Sequence, residues 1–138
     1  MRQFETLEHT ADLALRVWGR DLRELIENAA AGLISLLYNE TPPAAADERP
    51  LRVVAEAPEL VLHHALRELL YLLEDEGLAV VEVRVTSADE EGAELLAGVV
   101  PRDQVAQLLG GPIKAVTHHG LEIRREGGQL LVDLVFDV

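Results

Sequence analysis

The chain has no cysteine, one lysine, one methionine, one tryptophan and only two asparagines among its 138 residues. Without thiols it cannot carry a disulfide framework, thiolate-bound zinc, an iron–sulfur cluster or a cysteine nucleophile. Positive charge is also scarce: 12 Lys and Arg stand against 25 Asp and Glu, a formal net charge of −13. Direct nucleic-acid binding rests on clustered basic side chains, and docking on an anionic membrane needs the same, so neither is expected. Apolar runs fall far short of the ~20 residues that span a bilayer, and no signal peptide opens the sequence. A cytoplasmic protein is the expectation. What is abundant is aliphatic: 49% of residues are hydrophobic and only 4% aromatic. That is too apolar, and too periodic, for a disordered acidic tail. Length and composition suit one domain, residues 1–138, with a core that needs no covalent staple. Eleven of the twelve basic residues are arginine, a bias produced equally by heat adaptation and by GC-rich coding.

Periodicity predicts the elements. Arg2–Leu7 and Leu13–Gly19 read as strands, the second with Leu13, Leu15 and Val17 on one face. Asp21 and Glu24 form a capping-box pattern ahead of a helix that ends near Tyr38. Its apolar positions Leu22, Leu25, Ile26, Ala29, Leu33, Leu36 and Leu37 recur at helical spacing. Asn39–Pro50 resembles a linker, and Leu51–Ala57 a strand. Pro58 suits the first turn of a second helix, whose stripe is Leu62, Ala65, Leu66, Leu69, Leu70 and Leu73 and whose C-terminal cap is Gly77. Period two then takes over: Leu78–Ser87, with valines at 81, 83 and 85, and Ala93–Val100 are expected to pair. Arg102–Leu109 reads as a short helix. Ile113–Glu126 and Gln129–Val138 read as a last hairpin about Gly127-Gly128. The fold class is α+β, with two main helices packed on a mostly antiparallel sheet.

Most chemical motifs are missing. There is no phosphate-binding glycine loop, no Gly-x-Ser-x-Gly elbow and no His-Glu-x-x-His helix. His63 and His64 are helical neighbours that point about 100° apart and cannot share a metal. His118 and His119 on a strand would face opposite ways. His64 and Glu68 share a helix face, where a solvated edge is the ordinary role. Two carboxylates stand out by context. Asp12 closes the polar break His9-Thr10-Ala11-Asp12 ahead of an apolar strand, where an Asx turn is the simpler use. Asp137 follows an apolar strand that runs to the end of the chain, with the Val138 carboxylate beside it. If that strand end lies by the loop before Leu13, like charges converge, and a cation is needed to hold them together. All-oxygen ligation selects a hard ion, Ca²⁺, Mg²⁺ or Mn²⁺ rather than Zn²⁺. Asp47, or its neighbour Glu48, in the linker-like stretch is a candidate for a further oxygen, although a solvated loop is its simpler role.

Three segments together resemble one family: Glu8-His9-Thr10-Ala11-Asp12, Ile113-Lys114-Ala115-Val116-Thr117-His118-His119-Gly120-Leu121, and Phe136-Asp137-Val138 are similar to archease, in order and across nearly the whole chain. His118 departs from the pattern, which more often has Tyr there. The resemblance implies a small α+β fold of strand–helix–strand–strand modules. It implies an activator of an RtcB-type RNA ligase, which joins RNA ends in tRNA splicing and repair after guanylylating its own histidine with GTP and Mn²⁺. It also implies a metal site at Asp12, Asp137 and Val138, with Ca²⁺ the leading ion.

The expected function is therefore non-enzymatic: an acidic protein that promotes guanylylation and repeated turnover of a basic, metal-dependent ligase. His9, Trp18, Lys114 and His119 are candidate partner contacts. An ordinary exposed strand-end charge is the simpler account of Lys114, and packing under a neighbouring segment is the competing account of Trp18. Two alternatives stand beside this reading. One is a metal-dependent hydrolase or phosphotransferase using Asp12, Asp137 and His9. The other is a general chaperone stabilised by Ca²⁺.

Overall fold

A computed structural model describes residues 3–7 and 13–138. Eight strands and two long helices follow in the order β1 (Phe4–Leu7), β2 (Leu13–Gly19), α1 (Leu22–Leu37), β3 (Asp47–Val54), α2 (Pro58–Asp75), β4 (Leu78–Asp89), β5 (Gly92–Pro101), β6 (Ala115–Val116), β7 (Arg124–Glu126) and β8 (Gln129–Asp137). The strands form two antiparallel sheets instead of one. The larger runs β1-β2-β8-β6 with β7 also on β8, and the smaller runs β3-β5-β4.

The helices join the sheets. α1 packs on β2 of the larger sheet and on β4 of the smaller, while α2 packs on β3, β4 and β5 and reaches β6. Their apolar stripes meet the inner faces of both sheets in one cluster that includes Leu15, Val17, Leu25, Ile26, Leu33, Leu62, Leu66, Leu95, Val132, Leu134 and Phe136. The expected stripes are the buried ones, because a helix of this length is held by the face it buries more than by intrinsic propensity.

Local chemistry fixes the element ends. The Asp21 carboxylate accepts from the Glu24 amide at 2.8 Å, and Glu24 reaches back to accept from the Arg20 amide at 3.0 Å, one residue before the cap. α2 starts on Pro58 without a side-chain cap and ends before Gly77, whose φ of +68° is the left-handed geometry that terminates helices. Gly127 and Gly128, at φ +58° and +80°, make the two-residue turn between β7 and β8.

Four segments differ from the sequence-based expectation. β3 begins at Asp47, inside the stretch read as a linker, because Asp47–Val54 pairs in continuous register with β5 from Val99 to Gly92. Valines 81, 83 and 85 keep to one face of β4, but the strand carries bulges after Val80 and Val85, and at the first of them Val80 and Val81 are both buried, which period two does not predict. The helix expected over 102–109 shrinks to one 3-10 turn, Arg102–Gln104; beyond it Leu109 bridges to Tyr38. The strand expected over 113–126 is two short strands, β6 and β7, separated by a turn at 117–121 that Gly120 closes at φ +62°.

Candidate metal and partner site at the end of β8

β8 runs through the middle of the larger sheet and delivers Asp137 to its rim. Phe136 is fully buried and anchors the strand; Asp137, the next residue, is exposed, and Val138 is half exposed. On one side Leu13 pairs with Phe136; on the other Ala115 pairs with Asp137 and Val116 with Phe136. The Lys114 amide donates to the Asp137 carbonyl at 2.8 Å, and the Thr117 amide to the Val135 carbonyl at 2.9 Å. The last apolar residues are therefore sheet members, which explains why the sequence stays hydrophobic to Phe136. Among the described residues the Asp137 carboxylate has no hydrogen bond or ion pair.

The partners expected for Asp137 fall in different places. Asp12 and His9 lie outside the described residues. Leu13, the residue after Asp12 in the chain, is the one that faces Phe136, the residue before Asp137. Asp47 is the first residue of β3 in the other sheet, where it pairs with Val99 and its carboxylate accepts from the Glu48 amide at 2.8 Å. It is a strand residue, not part of a loose linker. Among the described residues no three His, Asp or Glu side chains gather in a group that could hold a metal.

The candidate partner contacts separate as well. Lys114 is exposed and adjoins Asp137 through its backbone. His119 is exposed in the turn after β6, where its amide donates to Thr117 Oγ1 at 3.1 Å. Trp18 is half-buried: its amide donates to the Gln3 carbonyl at 2.9 Å and its carbonyl accepts from Asn28 Nδ2 at 2.7 Å. Its backbone thus links β2 to α1 and to the segment before β1.

The histidines depart most from expectation. His118 lies on a turn, not on a strand, and its ring stacks on that of His63 with centroids 3.9 Å apart and planes 16° from parallel. His64 meets His63 only edge-on at 5.9 Å. His63 is buried, and its Nε2 lies 2.8 Å from the Val116 carbonyl. His64 and Glu68 are each half-buried on α2. Nothing local in the sequence signals the contact between His63 and Val116, which are 53 residues apart.

Two further polar contacts also escaped the sequence reading. Arg16 makes a forked pair with Asp133 across β2 and β8, at 2.7 and 3.0 Å. The hydrogen bonds, then the charge of Arg16, hold the Asp133 carboxyl below the usual range against the opposing effect of burial. Tyr38, just after α1, donates its phenol to the Val80 carbonyl at 2.9 Å, and burial pushes its pKa up to about 12. No helix among the described residues is long and apolar enough to cross a membrane.

Two helices on antiparallel sheets, with a carboxylate carried to the rim by the last strand, define a small α+β protein. The model of the archease protein family matches residues 4–138. A protein archease of Pyrococcus furiosus is 32% identical over 142 residues, covering all of both chains. One from Methanopyrus kandleri is 31% identical over 140 residues, covering 98% of this chain and 99% of the other. Among solved structures, a Methanobacterium thermoautotrophicum protein determined in solution superimposes with a TM-score of 0.77 at 26% identity over the whole of both chains. The crystal structure of a Thermotoga maritima archease, described as a possible chaperone, gives a TM-score of 0.67 at 25% identity over all of this chain and 98% of that one. The chain belongs to the archease family.

Proposed function

We propose that this chain is a non-enzymatic activator of an RtcB-type RNA ligase in tRNA splicing and RNA repair, working in the cytoplasm through an acidic rim that binds a divalent cation. The observation that carries the reading is the exposed Asp137 carboxylate, which has no hydrogen-bond or ion-pair partner among the described residues and is set beyond a buried Phe136 on a strand paired on both sides. A carboxylate on so rigid a mount is suited to present charge to a ligand without loss of order. Asp12, Asp137 and Val138 would hold the cation; all three offer oxygen, which fits Ca²⁺ first and Mg²⁺ or Mn²⁺ next.

Bound to the ligase near its nucleotide, the rim favours the guanylylation-competent state. A preference of ~1.4 kcal/mol for that state over the idle one shifts the balance about tenfold. The net charge of −13 supports encounter with a basic enzyme, so added salt should slow association.

The test is self-guanylylation of a ligase from the same source with GTP and Mn²⁺, with catalytic amounts of this protein. Stimulation by the wild type and none by folded Asp12→Ala or Asp137→Ala is expected. Full stimulation by both variants would remove the rim from the mechanism. Phosphoester hydrolysis by the protein alone would favour an enzyme instead.

A further inference from the structure

The short strand β6 has β8 on one side and α2 on the other, and His63 makes the link to α2. Its Nε2–H donates to the Val116 carbonyl at 2.8 Å, so the ring is the Nε2–H tautomer. Nδ1 is buried with no hydrogen-bond partner, and the residue is only 4% exposed. The exposed ring of His118 lies flat against it. Two rings 16° from parallel cannot aim their in-plane lone pairs at one ion, so this is not a chelating pair.

We propose that His63 is a positioning residue: as the neutral ring, braced by His118, it clamps β6 onto the carboxyl end of β8 and so holds Asp137 in place, and acid opens the clamp. The functional importance of that placement rests on the reading of Asp137 given above. A proton on Nδ1 would create a buried cation whose new N–H has no acceptor. Of the groups around the ring, Glu59 lies one turn before His63 on α2, where its carboxylate accepts from the Ile123 amide at 3.0 Å, and the charges that act on the ring are those of basic groups. His118 is stacked on it from the turn after β6, His64 and Arg67 adjoin it on α2, and Lys114 lines the same groove from the β6 side. Glu74 and Asp75 line that groove about three turns further along α2.

Burial first, and then His118, His64 and Arg67, push the His63 pKa below the ordinary imidazole range, against the pull of the Val116 hydrogen bond. With the folded value below the unfolded one, the closed clamp is fully favoured above the unfolded value of about 6.5 and weakens as pH falls through the folded value.

Amide hydrogen exchange by NMR on the full chain tests this at about pH 7.5 and about pH 5, with each rate corrected for intrinsic exchange. The Lys114 and Thr117 amides, which bond to β8, should lose about tenfold or more of their protection at the lower pH. The amides of Leu25–Leu33 in α1 should hold theirs, and the loss should track the ring signals of His63 rather than those of His64 or His119. His63→Gln places a non-titrating N–H donor near the position of Nε2, so it should keep protection at both pH values. A flat wild-type profile, a loss that tracks another histidine, or a folded His63→Gln that loses protection just as the wild type does overturns the clamp. No cation takes part in this readout. A flat profile therefore overturns the clamp whatever Asp137 binds, and unchanged cation affinity in Asp137→Asn overturns the rim whatever the clamp does.

Discussion

Leu13 and Phe136 face each other across the β2–β8 ladder. The residue after Asp12 and the residue before Asp137 are therefore partners, although more than a hundred positions separate them in the chain. This register supports the rim reading and makes it testable one side chain at a time. Asp137→Asn keeps the shape and removes the charge. Cation affinity, followed by calorimetry with Ca²⁺, should fall at least about tenfold, since an ionised oxygen ligand to a hard cation is lost. Thermal stability without added cation should change little, because Asp137 is exposed and makes no side-chain contact among the described residues.

Gly19 ends β2 where α1 crosses it. A Cβ at this position would press on the Leu25 amide nitrogen and come within 2.7 Å of the Leu25 Cα, both backbone atoms that cannot swing away. Gly19→Ala should therefore cost about 2 kcal/mol or more, measured by urea unfolding, through displacement of α1 from the sheet.

The phenol of Tyr38 satisfies the Val80 carbonyl beside the first bulge of β4. Tyr38→Phe should cost about 1–2 kcal/mol, because it removes a buried donor and leaves the acceptor behind. The pH effect has a definite sign. The folded phenol titrates at about 12, above its unfolded value near 10, so the unfolded chain loses its proton first. Stability should thus fall as pH rises past about 10, and Tyr38→Phe should lessen that slope in denaturant titrations at alkaline pH.

Arg16 and Asp133 form the best-formed ion pair among the described residues, forked and partly shielded across β2 and β8. Arg124 also approaches Asp133, at 3.6 Å. A double-mutant cycle with Arg16→Met and Asp133→Asn should give a coupling of about 0.5–1 kcal/mol, because a third of each side chain remains in solvent. The folded Asp133 value lies below the unfolded one, so this stabilisation is present above about pH 4 and disappears as pH falls through the folded value. Acid titration of wild type against Asp133→Asn checks it.

Sequence alone determined the parts that depend on local repetition and local chemistry. Stripes of leucine at helical spacing placed α1 and α2 within a residue or two, since burying one face requires that spacing. The Asp21 cap, Pro58, Gly77 and the Gly127-Gly128 turn marked boundaries, because each residue type has a narrow range of backbone geometries. Asp137 stood out because an acidic residue following a strand that stays apolar to its end is unusual. Tertiary structure decided whatever depends on which segments meet. The strands divide into two sheets, β3 extends back to Asp47 because β5 offers it partners, and a bulge in β4 buries Val80 beside Val81. His118 stacks on His63, and His63 bonds to Val116, because α2 passes alongside β6. The contacts around the end of β8 join it to β6, a nearby segment of the chain, and to β2, more than a hundred positions away, and no local pattern records which segment will be the neighbour.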